Sequence, residues 1–357
     1  MSTTAAIVGA GQAFPAGRTQ EEYWDRFYGP HVGGNRWARA VFLSAGCTTR
    51  HTAVDPTVED ISGWSTGARM GRYLAEALPL AEAAARGALA AAGLGVADLG
   101  LLAVVSCTGY TTPGLDIRLA EALGADPSLQ RLLIGHMGCY AALPGLAAVA
   151  DTVAARGRPA LLVCAEVASL HVQPPSVGGG RLTAEHMEQV VAHALFSDGA
   201  AAVVVAPSGA PGALEVLDVA ARTDVAAADH MRWDITDLGF RMGLSRRVPD
   251  VLARHVGALA DGLLAAHGLG RDDVAGWVVH PGGPRILDVV AEQLGLDAHA
   301  LDSARAVLDE HGNCSSGTVL AVLDRWRAAA SPAPGSHAVM LAFGPGLTIY
   351  GVLLRVG

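Results

Sequence analysis

Residues 134–143 read IGHMGCYAAL. An apolar, strand-like run leads into this segment, and an Ala/Leu-rich stretch with helical spacing follows it as far as Ala155. The pattern predicts a tight turn that places Cys139 in the first turn of a mostly buried helix. Free backbone N–H groups and the positive end of the helix dipole would favour the thiolate there, which is the nucleophilic form of cysteine. A small core residue is the alternative for Cys139 in a chain this apolar, so its assignment depends on the other motifs.

The composition excludes several classes of protein. The chain has 357 residues, 51% of them hydrophobic, and a formal net charge of -9. No Lys/Arg cluster stands out, which argues against a nucleic-acid partner. The five cysteines are widely spaced and contain no CxxC pair, which indicates neither a disulfide framework nor a metal site. With no signal-peptide pattern and no run of about 18 apolar residues, we expect a cytoplasmic protein without a membrane span.

The order of elements predicts two similar halves. Strands and helices alternate up to a Pro/Gly-rich boundary at residues 207–212, and the alternation then recurs. We therefore predict an α/β fold with α/β/α/β/α layers, built from duplicated halves at residues 1–210 and 211–357.

The first strand, residues 5–8, is expected to end in a glycine turn at residues 9–12. That turn lacks the third glycine of a dinucleotide-binding fingerprint.

Two further polar residues stand at glycine turns that precede helices. His280 ends an apolar strand and is followed by the sequence PGGP, and Asn313 lies in the run HGNCSSG at residues 311–317. Such strand-end turns face the crevice where α/β proteins usually bind ligands. Taken singly, His280 could be structural and Asn313 could cap a helix. Their equivalent positions indicate a shared site with Cys139.

Arg36 and Arg39 are spaced three residues apart and would share one helix face. A solvated face and a clamp for phosphate groups are both compatible with this spacing.

Four motifs in order carry a resemblance to a known family. They are Gly138-Cys139, the run HPGGP at 280–284, the run GNCSS at 312–316 and the run FGPGLT at 343–348. The chain closely resembles type III polyketide synthases, the chalcone synthase superfamily. The resemblance implies a thiolase-like fold, a homodimer, acyl-CoA and malonyl-CoA as substrates, no metal or other cofactor, and catalysis by Cys139, His280 and Asn313.

The resemblance also implies roles for residues around these motifs. Phe196 matches a gatekeeper phenylalanine of the family. Met242 stands at the position where the family usually has a second gatekeeper phenylalanine. The substrate cavity would be lined by Phe196, Met242, Cys107, Thr108, His171, Ser315, Gly344 and Pro345. The implied CoA-binding residues are Arg36, Arg39, Gly282, Gly283 and Arg285. For Arg36 and Arg39 the resemblance therefore favours the phosphate clamp over the solvated face.

Details of the motifs look bacterial and are most similar to alkylpyrone and alkylresorcinol synthases, which take fatty acyl starters. The alternative within the family is a malonyl-primed 1,3,6,8-tetrahydroxynaphthalene synthase. A ketoacyl-carrier-protein synthase III and a non-catalytic partner subunit of the same fold are weaker alternatives, the latter because all three catalytic residues are present.

Overall fold

The computed structural model describes residues 4–175, 181–209 and 211–357. Its strands are β1 Ala5–Ala13, β2 Gly17–Thr19, β3 Thr49–His51, β4 Leu101–Ser106, β5 Gln130–Gly135, β6 Ala160–Glu166, β7 Gly199–Pro207, β8 Leu214–Thr223, β9 Met231–Thr236, β10 Gly239–Leu244, β11 Val274–Val279, β12 His337–Gly344 and β13 Thr348–Val356. Its α-helices are α1 Gln20–Tyr23, α2 Gly29–His31, α3 Arg36–Leu43, α4 Thr66–Ala92, α5 Leu115–Leu123, α6 Ala142–Arg156, α7 Ala184–Leu195, α8 Val248–Ala265, α9 Pro284–Leu294, α10 Asp302–His311 and α11 Thr318–Ala330.

The large sheet runs through both halves of the chain in the order β11-β12-β13-β8-β1-β7-β6-β4-β5. Helices α6 and α11 lie in the middle and contact strands of both halves. Helix α4 covers β1, β6 and β7 and forms one outer layer, and α8 covers β8 and β13 and belongs to the other outer layer. The predicted α/β/α/β/α layering is therefore confirmed.

The two half-sheets join where β1 pairs with β8, at Ala6 with Glu215 and Ile7 with Leu214. The division at residue 210 stays a prediction, and that residue lies outside the described part of the chain.

The prediction that the first strand ends at residue 8 is wrong, because β1 continues through both glycines to Ala13. Helix α4 packs directly on this strand. A Cβ atom on Gly9 would lie 2.4 Å from the Ala88 carbonyl oxygen, and one on Gly11 equally close to that of Ala84. These glycines therefore permit close helix–strand packing rather than a turn.

Residues 138–156 are long and apolar enough to span a membrane by length and composition, with a mean hydropathy of 1.3. They comprise the turn at Cys139 and α6, which lies between the two half-sheets. Burial in the core accounts for this apolar composition.

The β9–β10 hairpin and α10 were not predicted. The hairpin pairs Met242 with Trp233 and brings both to the neighbourhood of Cys139.

Candidate active site

Cys139 lies in a 3₁₀ turn, Gly138–Tyr140, between β5 and α6. Gly138 has a φ of 78°, and a Cβ there would lie 2.5 Å from Cδ of Pro345. Only glycine combines this conformation with this contact. The Cys139 side chain is 6% exposed, and its Sγ lies 3.7 Å from the Ser315 hydroxyl.

His280 follows β11 and is fully buried. Its backbone N–H donates to the Leu341 carbonyl at 2.8 Å, which fixes its position beside β12. The ring packs edge-on against Phe343, with ring centres 5.9 Å apart. Neither ring nitrogen has a hydrogen-bond partner among the described residues. Because neither nitrogen is bonded, both are available to a substrate or to the Cys139 thiol. Buried polar groups without a partner are rare, which favours a functional role for this imidazole.

Asn313 is oriented by bonds to its amide oxygen. That oxygen accepts from the Ser315 N–H at 2.8 Å and from the Thr318 hydroxyl at 3.4 Å. The amide NH₂ is therefore the part of the side chain that is left to donate.

The three residues meet at one cavity of about 340 Å³, called here the entrance cavity. Phe196 and Met242 also line it, together with Gly282, Gly283 and Arg285 after His280. Cys139, His280 and Asn313 come from three distant parts of the sequence and meet at this cavity. Cys139 and His280 follow strands as predicted, whereas the turn of Asn313 follows helix α10 instead of a strand.

Burial disfavours the charged forms of Cys139 and His280. It raises the pKa of the Cys139 thiol to about 12, although hydrogen bonding by Ser315 and Asn313 pulls that pKa down. Burial also lowers the pKa of the His280 imidazole to about 3. Burial therefore opposes the thiolate that the helix dipole would favour. The dipole is worth about 0.3–2 kcal/mol, which is less than the cost of a buried charge.

A second, inner cavity of about 30 Å³ adjoins Cys139, Phe196 and Met242 on another side. The predicted residues Cys107, Thr108, Ser315 and Pro345 line it, together with Ala168 and Trp233. The Trp233 indole N–H donates to the Cys107 carbonyl at 2.9 Å, which holds the ring as a wall. Trp233 was not predicted; its signal in the sequence was a large aromatic residue in a short alternating segment before a glycine turn.

Glu166 at the end of β6 is a second residue that the sequence analysis missed. It is fully buried and accepts from the Cys107 N–H at 2.9 Å, the Thr108 hydroxyl at 2.8 Å and the Ser316 hydroxyl. Burial raises its pKa. A single acidic residue in the apolar run ALLVCAE was the available signal. These bonds fix the floor of the inner cavity.

His171 and Gly344 were predicted to line the substrate cavity, but neither lines the entrance cavity or the inner cavity. The His171 ring accepts from the Phe240 N–H at 3.0 Å through Nδ1, and its Nε2 bonds to the Thr108 carbonyl at 2.6 Å. Both nitrogens are therefore occupied, and the ring supports the cavity wall from behind. Gly344 instead lies against Tyr140 and the backbone of Cys139.

The predicted phosphate-binding residues divide into two groups. Arg285 lines the entrance cavity, as does Arg246, which was not predicted. Arg36 and Arg39 lie on α3 outside the cavity lining, and Arg39 pairs with Glu21 at 3.7 Å. The face that α3 turns to the cavity carries Trp37 instead.

Comparisons with known proteins agree with this arrangement. Residues 39–209 match the N-terminal domain and residues 217–356 the C-terminal domain of chalcone and stilbene synthases. The chain is 38% identical over 325 residues to a 1,3,6,8-tetrahydroxynaphthalene synthase of Streptomyces peucetius subsp. caesius, covering 89% of this chain and 83% of the relative. It is 30% identical over 336 residues to an alpha-pyrone synthesis polyketide synthase-like protein of Mycobacterium tuberculosis, covering 88% and 81%.

A solved structure supports the same assignment. The crystal structure of PKS-I from the brown alga Ectocarpus siliculosus superposes with a TM-score of 0.90 at 31% identity, covering 100% of this chain and 99% of that one. Its thiolase-like fold is that of the layered sheet described above. The chain therefore belongs to the chalcone and stilbene synthase family and is a type III polyketide synthase, an acyltransferase of the condensing kind.

Proposed function

We propose that this enzyme loads an acyl-CoA starter on Cys139 and extends it with malonyl-CoA, using His280 and Asn313 as partners. The observation that supports this most is the meeting of the three side chains at one cavity, where the His280 ring nitrogens have no partner among the described residues and the Asn313 NH₂ acts on the Cys139 thiol.

Loading begins when the proton of the Cys139 thiol passes to His280, which has both ring nitrogens without a partner among the described residues. The Cys139 sulfur attacks the starter thioester carbonyl, the bond to the CoA sulfur breaks, and His280 returns the proton to the departing CoA thiolate.

Extension uses the same groups as hydrogen-bond donors. The thioester oxygen of malonyl-CoA faces a His280 N–H and the Asn313 NH₂. Loss of CO₂ leaves its bonding electron pair as an enolate, and these donors stabilise the negative oxygen that forms. The enolate carbon then attacks the Cys139 thioester, whose carbon–sulfur bond breaks, and the chain grows by two carbons.

The inner cavity favours a short starter. Its volume of about 30 Å³ has room for about two water molecules, because one water molecule needs about 10–15 Å³ of cavity volume. An alkylpyrone or alkylresorcinol synthase must house a long acyl chain, for which this cavity has no space. The second candidate, a malonyl-primed tetrahydroxynaphthalene synthase, is therefore the better supported product class.

A panel of starters tests this proposal without a carrier protein, whose omission also separates the enzyme from a ketoacyl-carrier-protein synthase III. We expect the wild type to extend malonyl- and acetyl-primed chains and to disfavour starters of eight or more carbons. Trp233→Ala should open the inner cavity and shift preference towards longer starters, by up to about fourfold for each methylene that gains about 0.8 kcal/mol of burial. Mass spectra of acyl-enzyme and products measure both effects. A wild type that prefers sixteen carbons would contradict the short-starter proposal.

We propose that Arg246 and Arg285 bind the CoA phosphates at the mouth of the entrance cavity. Replacing both by alanine should raise the KM for malonyl-CoA about tenfold, because charge-assisted hydrogen bonds are lost. The effect should vanish with a malonyl-pantetheine thioester. The pair Arg36→Ala, Arg39→Ala is the matched control from outside the cavity. A larger rise in KM from Arg36→Ala with Arg39→Ala would instead identify Arg36 and Arg39 as the phosphate-binding residues, as the sequence predicts.

We propose a homodimer formed through β5. This strand ends the sheet, so its outer edge offers unpaired backbone groups, and Leu133 on it is 47% exposed. Leu133→Lys should convert a dimer into a monomer in analytical ultracentrifugation. Val58→Lys, at an exposed apolar residue between β3 and α4, should not. A wild type that sediments as a monomer would contradict the proposal.

We further propose that the enzyme works in the cytoplasm, where its five buried free cysteines stay reduced, and that the chain divides functionally near residue 210. The steps above transfer acyl groups and protons, so we propose that no metal or redox cofactor takes part.

A further inference from the structure

Arg50 in β3 is a buried cation that is bonded to carbonyl groups instead of a carboxylate. It is 2% exposed, and its guanidinium carbon lies 4.7 Å from the ring centre of Tyr23, 5.3 Å from that of Phe42 and 5.7 Å from that of Tyr28. The buried Asp198 carboxylate interacts with the charge of Arg50 but makes no direct bond to it. Burying a cation without a direct ion pair costs more than burying an apolar side chain of similar volume. An apolar residue would satisfy the packing at lower cost, so the arginine points to a role beyond packing.

The guanidinium bonds to the end of α7. Its Nη1 donates to the Phe196 carbonyl at 3.1 Å and also to the His193 carbonyl. Carbonyls in the last turn of a helix lack partners within the helix, and the negative end of the dipole favours a cation there. Arg50 therefore fixes where α7 stops, and with it the backbone that carries Phe196 between the two cavities.

The same backbone segment holds Asn313 on its other edge. The Asn313 N–H donates to the Leu195 carbonyl, and the Ser197 N–H donates to the Asn313 carbonyl, both at 2.9 Å. Between these two bonds, the Phe196 carbonyl is the group that bonds to Arg50. Residues 195–197 thus connect the guanidinium to the residue whose amide faces the entrance cavity.

We propose that Arg50 is a positioning residue for the decarboxylation step, an inference that rests on the proposed function. Arg50 lines neither the entrance cavity nor the inner cavity, so it acts through residues 195–197. By clamping this segment it sets the Asn313 amide and the Phe196 ring relative to Cys139. Misplacement of a catalytic group by about 1 Å can cost a hundredfold in rate, even when the altered residue is remote.

Arg50→Met tests the inference, because methionine keeps the apolar length and removes the donors. The matched control is Arg69→Met. Arg69 is 0% exposed and donates to the backbone carbonyls of Ile61, Ser62, Trp64, Leu170 and Val172, none of which lies in residues 195–197. Three quantities are measured for each variant: the rate of starter loading on Cys139 by intact mass, the rate of CO₂ release from malonyl-CoA, and the melting temperature.

We expect both variants to melt earlier, while only Arg50→Met lowers the ratio of decarboxylation to loading, by about tenfold. Arg50→Lys keeps the charge but not the planar fork, so its ratio should fall between those of the wild type and Arg50→Met. Equal ratios in Arg50→Met and Arg69→Met would overturn the inference. If Arg50→Met does not fold, a wild-type ratio in Arg50→Lys overturns it equally. A wild type without chain extension would overturn the proposed function as well, whereas unchanged ratios in an active enzyme overturn only the role of Arg50.

Discussion

Cys139→Ala is expected to abolish chain extension, because no acyl-enzyme can form without the sulfur. The variant should release no pyrone or naphthalene product and should gain no acyl mass from any starter. Decarboxylation of malonyl-CoA should persist weakly, since His280 and Asn313 still face the thioester oxygen. Intact-protein mass spectra and CO₂ release measure the two outcomes separately.

Cys164→Ala is the matched control for this experiment. Cys164 is equally a buried free cysteine, but it lies within β6 and lines neither the entrance cavity nor the inner cavity. It should load starter at the wild-type rate. Normal product from Cys139→Ala, or loading lost only in Cys164→Ala, would rule out Cys139 as the nucleophile.

Asn313→Ala is expected to lower decarboxylation by about a hundredfold or more while starter loading stays near the wild-type rate. Removal of one donor to a developing oxyanion typically costs a factor of about 10²–10³ in rate. Loading depends instead on proton transfer between His280 and Cys139. Rates of CO₂ release and of acyl-enzyme formation give the two values.

Asn313→Asp separates the donor from the shape of the side chain. Aspartate can still accept from the Ser315 N–H, which holds the asparagine oxygen at 2.8 Å, but it carries no NH₂. It should therefore lose decarboxylation as alanine does. Normal decarboxylation in the aspartate variant would mean that Asn313 supports the loop and stabilises no oxyanion.

The sequence could predict the layered fold and the turns of Cys139 and His280 because each turn has a local signature between an apolar strand and a helix. The turn of Asn313 was also expected at the end of a strand, but it follows helix α10, which was not predicted. The free-energy cost of forming the Cys139 thiolate could not be predicted in this way. That cost depends on burial by elements that are distant in the sequence, such as strand β12, which carries Phe343. Trp233 and Arg50 were missed for a related reason. Their roles come from contacts with residues more than a hundred positions away in the chain, at Cys107 and Phe196.

The glycine strand β1 has a consequence for the order in which the protein can be built. Its partner strands are β7 and β8, and Ala5 pairs with Pro207. A ribosome that adds about 5–20 residues per second reaches Pro207 on the order of 10–40 seconds after it has made β1. Throughout that interval the central strand of the future sheet has neither neighbour, and α4 can pack only on an unpaired ribbon. Long-range pairing of this kind slows folding and leaves strand edges open to other nascent chains. The strand that joins the two halves is thus synthesised long before both of its partners and is among the last to be secured.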